Sequence, residues 1–137
     1  MSNMKPYSTT LVRTLAGLFF LSALVTPVQA EMKALGNTGT ATYYVDTENI
    51  KRNGSIRTVW SIMDYSSPQT TKRGASYRST RTNMEFNCRE HTVLMRQYSM
   101  HSGPMAQGEV IDTQGIWREA QAIPPGTPLV VIMKFVC

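Results

Sequence analysis

Asn53-Gly54-Ser55-Ile56-Arg57-Thr58-Val59-Trp60-Ser61-Ile62-Met63-Asp64-Tyr65 decides the fold class. Asn-Gly accepts the positive φ that a tight turn demands, so Arg52–Ser55 reads as the turn of a hairpin. The residues that follow alternate. Ile56, Thr58, Trp60, Ile62 and Asp64 fall on one side of an extended strand, and Val59, Met63 and Tyr65 on the other. Trp60 and Ile62 are the two expected to face the core. A tight turn feeding an alternating strand is the unit of an antiparallel sheet.

The same grammar extends in both directions. Upstream, Thr40-Ala-Thr-Tyr-Tyr-Val45 is β-branched and aromatic, a strand, and Glu31–Gly39 before it is small and polar, a flexible lead-in. Downstream, Ser66–Ala75 reads as a loop, and Ser76–Phe86 as a long polar strand ending before Cys88. Thr92–Met100 is a further strand, broken by Ser102-Gly103-Pro104. Glu109–Thr113 and Ile116–Glu119 read as strands across a Gln114-Gly115 turn. About six strands in series, joined by turns, imply an antiparallel meander. The terminal run Leu129–Cys137 is strand-like by propensity. Its boundary reads as helix: Thr127 suits an N-cap and Pro128 the first helical position. A helix starting there places Leu129, Ile132, Met133 and Val136 on one side.

The first thirty positions read as an address. Lys5 and Arg13 precede an apolar run, Leu15–Val25, which is shorter than the ~20 residues of a membrane span. Pro27 then breaks the run, and Val28 and Ala30 are small, the pattern of a secretory signal cut between Ala30 and Glu31. Residues 40–137 are expected to form a single domain, with no membrane span after cleavage. The chain is exported on this reading, to the periplasm, the cell surface or the medium. No Cys follows the apolar run to carry a lipid anchor. Loss of Lys5 and Arg13 lowers the formal charge from +5 to +3. Export and so small a charge exclude nucleic acid as a partner.

Both cysteines, Cys88 and Cys137, survive the cut. In an oxidising compartment they are expected to pair, closing a loop of about 50 residues. No CxxC is present, and a terminal Cys is poorly held for catalysis.

Candidate chemistry is sparse, and the chain is read as a non-enzyme without a cofactor. There is no Gly-x-Ser-x-Gly elbow, and the adjacent Glu90 and His91 would point to opposite faces of a strand. Met100, His101 and Met105 flank a Gly-Pro turn, and thioether and imidazole donors suit copper(I), a minor reading. Lys72, Arg73, Arg78 and Arg81 form a candidate basic binding loop and strand that would attract an anionic partner. Arg78 and Arg81, three apart, would fall on opposite faces.

The order of features is similar to a known family. Tyr43-Tyr44-Val45-Asp46 and Ile50 lead to Gly54, then Val59–Tyr65, Ser76, and Asn87-Cys88. Tyr98-Ser99, Met105, Gly108, Trp117, Ile123-Pro124-Pro125-Gly126-Thr127 and Val136-Cys137 complete the series. Over about Thr40–Cys137 the series resembles the surface-adhesin protein E family of Gram-negative bacteria. The resemblance implies an α+β fold, an antiparallel sheet with a C-terminal helix tethered to one face by the disulfide. It implies a surface-displayed, self-associating protein that binds host matrix or serum proteins such as vitronectin and laminin. The alternative is a structural or interaction protein of the cell envelope with no host ligand.

Overall fold

The computed structural model describes Asn3, residues 31–115 and residues 117–137. The expected leader and the residue before its cut, Ala30, lie outside the described residues. The strands are β1 (Met32–Asn37), β2 (Ala41–Asp46), β3 (Lys51–Asn53), β4 (Ile56–Thr70), β5 (Ser76–Asn87), β6 (Thr92–His101), β7 (Val110–Gln114) and β8 (Gln121–Ala122). Among the described residues the one α-helix is α1 (Pro128–Val136), the last element. The sheet runs β1-β2-β4-β5-β6-β7, with β3 paired to β4 and β8 to β6. Every pairing is antiparallel. The α+β meander is as expected, with eight strands where about six were anticipated.

Three boundaries differ from the sequence reading. Residues 31–39, expected as a flexible lead-in, contain β1, which pairs along β2 from Met32–Asp46 to Asn37–Thr42. The edge is sterically tight at one position, Gly36, while Leu35 packs against the core. A Cβ at Gly36 would collide with the Tyr43 ring lying over it. The expected loop Ser66–Ala75 is strand as far as Thr70. It reads as loop because of Pro68, which lacks the N–H of a regular ladder. The sheet accommodates it in a bulge, where residues 65–68 oppose Arg78 alone. The strand expected over Ile116–Glu119 does not form: residues 117–120 are irregular, and Ile116 lies outside the described residues.

Pairing fixes which side chains share a face. Val59 lies opposite Met84, and Met84 opposite Met95. On this side α1 lays down Ile132 and Val136, and the core forms from Tyr43, Val45, Val59, Met84, Phe86 and Val93 against them. Leu129 and Met133 pack at its margin, so the helical face is the one the spacing predicts. Trp60 and Ile62 point to the opposite face, a correction to their expected place in the main core. Alternation separates two faces; only the position of the covering helix says which is the core.

Thr127 has extended backbone angles and Pro128 opens the helix, as expected. The Thr127 hydroxyl donates to the Pro124 carbonyl (2.8 Å) and makes no capping bond. Cys88 and Cys137 are joined as a disulfide with Cα atoms 5.6 Å apart. It ties the helix end to the turn between β5 and β6. At its other side the helix meets β1, where Lys33 Nζ stands 5.0 Å from the centre of the Phe135 ring.

Candidate functional site

One sheet face is taken by α1, so a binding surface has the opposite face, the hairpin tips and the sheet edges to use. The opposite face is polar and partly open. Trp60 pairs with Asn83, and Ile62 with Arg81, across β4 and β5. Asn83 and Arg81 pair in turn with Gln97 and Ser99 on β6, and Ser99 with Thr113 on β7. Trp60 and Arg81 are diagonal neighbours, a separation that long side chains bridge. The Arg81 guanidinium lies over the Trp60 ring, 4.1 Å from its centroid. Near the edge of this face, Arg96 forms an ion pair with Glu85 at 3.0 Å.

The connection from β6 to β7 folds back over part of the same face as a strap, residues 102–109. Its centre is a 3-10 turn, Pro104–Ala106, with left-handed φ at Met105 (53°) and Ala106 (57°). Non-glycine residues are strained there. Two side chains from the sheet hold them. The Met105 amide donates to Asp64 Oδ1 (3.0 Å), and the Ala106 amide donates to Ser79 Oγ (2.8 Å). The Ser79 hydroxyl donates in turn to the Gly103 carbonyl (2.6 Å), and Ser79 is fully buried. Between strap and sheet lies a cleft of about 220 Å³ lined by Trp60, Ile62, Arg81, Met105 and Asp46, among others. Asp46 is committed to its own turn, accepting from the Glu48 and Asn49 amides and from Asn49 Nδ2.

The four basic residues singled out by sequence do not form one patch. Lys72 and Arg73 sit exposed at the β4–β5 tip, where Gly74 adopts φ 86° and its amide donates to the Thr71 carbonyl. They border a cleft of about 350 Å³ with Tyr77, Met100 and Asp112. Arg78 is spent within the β4 bulge, its Nη2 donating to the Tyr65 carbonyl (3.4 Å). Arg81 stands apart on the open face.

Met100, His101 and Met105 are likewise separated. Met100 pairs with Thr80 and His101 with Ser79, on opposite faces of the sheet. Met100 borders the Lys72 cleft and Met105 the Trp60 cleft, so the three donors expected for copper(I) do not converge. His101 is buried, with Nε2 2.9 Å from Ser99 Oγ. Burial, then the Arg81 charge, push its imidazole below the usual histidine range. Glu90 and His91 are exposed in the β5–β6 turn, where Asn87 Oδ1 accepts from the Arg89 and Glu90 amides. Among the described residues no three His, Cys, Asp or Glu side chains cluster as a metal centre would need.

A tyrosine cluster went unseen in the sequence. Tyr65 and Tyr77 meet edge to face with centroids 5.7 Å apart. Burial, then the neighbouring Tyr65 and Tyr77, push the Tyr98 hydroxyl up to about 12. These tyrosines are far apart in the chain, and only the register of β4, β5 and β6 unites them.

The family model for surface-adhesin protein E matches residues 31–137. The chain belongs to the surface-adhesin protein E family. Its fold matches that of Haemophilus influenzae protein E, with a TM-score of 0.62 at 16% identity over 80% of this chain and 86% of that one. A second crystal form of that protein gives a TM-score of 0.64 at 16% identity, covering 80% and 89%. Protein E from non-typeable Haemophilus influenzae gives 0.58 at 17%, covering 80% and 76%. At these identities the likeness is one of fold. The search of curated proteins finds no match in sequence. Membership makes this an adhesin-like surface protein, and none of its described helices is long and apolar enough to cross a membrane.

Proposed function

We propose that this chain is an exported, non-enzymatic binding module that engages host matrix or serum proteins, of which vitronectin and laminin are the first candidates. Family membership supports the class of function. The observation that carries the reading to a surface is the division of the sheet into two unlike faces. One is sealed by α1 over the core. The other presents Arg81 on Trp60, with Asn83, Gln97 and Ser99 in register around them. Groups of this kind, held on rigid strands, are a prepared binding surface. On the same reading residues 1–30 are removed on export, and Lys72 and Arg73 at the β4–β5 tip steer anionic partners toward the sheet.

The test is binding of residues 31–137, disulfide intact, to immobilised vitronectin and laminin at physiological salt. Saturable binding to either is expected. Absence of binding to both overturns the host-protein reading and leaves the envelope role, which crosslinking in intact bacteria would then identify by its partners.

A further inference from the structure

We propose that the Trp60–Arg81 cleft is a recognition site for a carboxylate-bearing sugar, a single acidic pyranose within a glycan. This deepens the reading of the open face as the binding face and rests on it.

Three observations carry it. First, Arg81 is exposed, yet its guanidinium carbon is held over the Trp60 ring, 4.1 Å from the centroid. Among the described residues its N–H groups meet no acceptor within hydrogen-bond reach, whereas Arg96 on the same sheet has Glu85. An arginine fixed by an aromatic ring has its planar fork set in advance, and that fork matches a carboxylate. The stacking also limits the side-chain freedom that binding would otherwise remove. Second, the cleft is small. About 220 Å³ is below the ~300–1,000 Å³ of a pocket that takes a whole ligand, so it suits one unit of a longer chain. Its wall is the strap, secured by Asp64 and Ser79. Third, the groups around Arg81 suit hydroxyls. Beside the cleft, Asn83, Gln97 and Thr113 offer amides and a hydroxyl in register, and the Ser99 hydroxyl already meets His101 Nε2.

The large exposed apolar side chains, Val110, Val131 and Phe135, are at the β7 edge and on α1. Asp46 is the acidic group on the cleft wall, and both its oxygens accept from its own turn. The carboxylate pyranose has two sources, a sialic acid terminus or a uronic acid within a polysaccharide.

The experiment is a two-dimensional amide NMR titration of residues 31–137 with sialyllactose, with an unsulfated glucuronate-containing disaccharide, with lactose, and with a short glutamate peptide. The Trp60 indole N–H is the reporter. A saturable shift with either acidic sugar, and none with lactose, is expected. Which acidic sugar binds more tightly names the source. Arg81→Gln should weaken binding about tenfold or more, and Arg81→Lys, which keeps the charge and loses the fork, by less. The same spectra report whether each variant is folded. Equal shifts with lactose, unchanged affinity in Arg81→Gln, or a response to the glutamate peptide alone would each overturn the proposal. The vitronectin and laminin assay separates the two readings. Acidic-sugar binding without matrix-protein binding leaves this site standing while the host-protein reading falls, and matrix-protein binding that survives Arg81→Gln without acidic-sugar binding does the reverse.

Discussion

Single side chains divide the labour between stability and recognition. Phe86 is fully buried at the centre of the core, so Phe86→Ala should cost about 3–5 kcal/mol, read from urea unfolding. Ser79 is a different case. Its hydroxyl accepts from Ala106 and donates to Gly103, so Ser79→Ala leaves a buried amide and a carbonyl without their partner. A loss of about 1–3 kcal/mol is expected. Hydrogen exchange should show the strap amides opening while the sheet stays protected. Two titrating groups bracket the pH range. The Tyr98 hydroxyl is raised to about 12 from 10.0, so its contribution to stability is complete below pH 10 and is lost as pH climbs toward 12. His101 is lowered from 6.5, so its contribution is present above pH 6.5 and is lost as pH falls through the folded value. Stability followed across pH should therefore fall at both ends, and His101→Asn should flatten the acid limb. An acid limb unchanged in that variant would assign it to other groups.

Among the elements, α1 depends on two attachments, its apolar stripe and the disulfide. Closing the loop between residues 49 apart is worth about 4 kcal/mol on chain-entropy grounds. The double variant Cys88→Ala/Cys137→Ala should lose about that much by denaturant unfolding. The last turn of α1 should then exchange its amides first, and a loss well under 1 kcal/mol would mean that packing alone holds the helix. Of these two attachments the disulfide was legible in the sequence, whereas the β-branched terminal run read equally as strand until the family resemblance favoured helix. Leu129, Ile132, Met133 and Val136 recur at helical spacing, and two cysteines in an exported chain have one another as partners. The edge strand β1 was hidden because its pairing with β2 works through backbone and a glycine under Tyr43, and neither leaves a hydrophobic pattern. The end of β4 was hidden by Pro68, whose bulge exists only once β5 is opposite. The site was legible in part. Arg81 stood out by charge, but Trp60 read as a core residue, and their contact depends on a register that turn lengths alone do not fix.

For the whole molecule, the asymmetry of the sheet is the functional statement. A helix, a disulfide and the main apolar core occupy one face. Polar strands, a strained strap and an unmatched arginine occupy the other. A family whose members are surface adhesins supplies the context in which such a face is used. On this division the open face, and not α1, meets the ligand. The most direct measurement is vitronectin and laminin binding by two charge-insertion variants of residues 31–137. One is Gln97→Glu with Asn83→Glu, a cross-strand pair on the open face. The other is Val131→Glu with Phe135→Glu on the exposed side of α1. The open-face variant should lose at least about tenfold in affinity and the helix variant should bind as wild type. Loss of binding in the helix variant, with the open-face variant unaffected, would place the ligand on α1 instead.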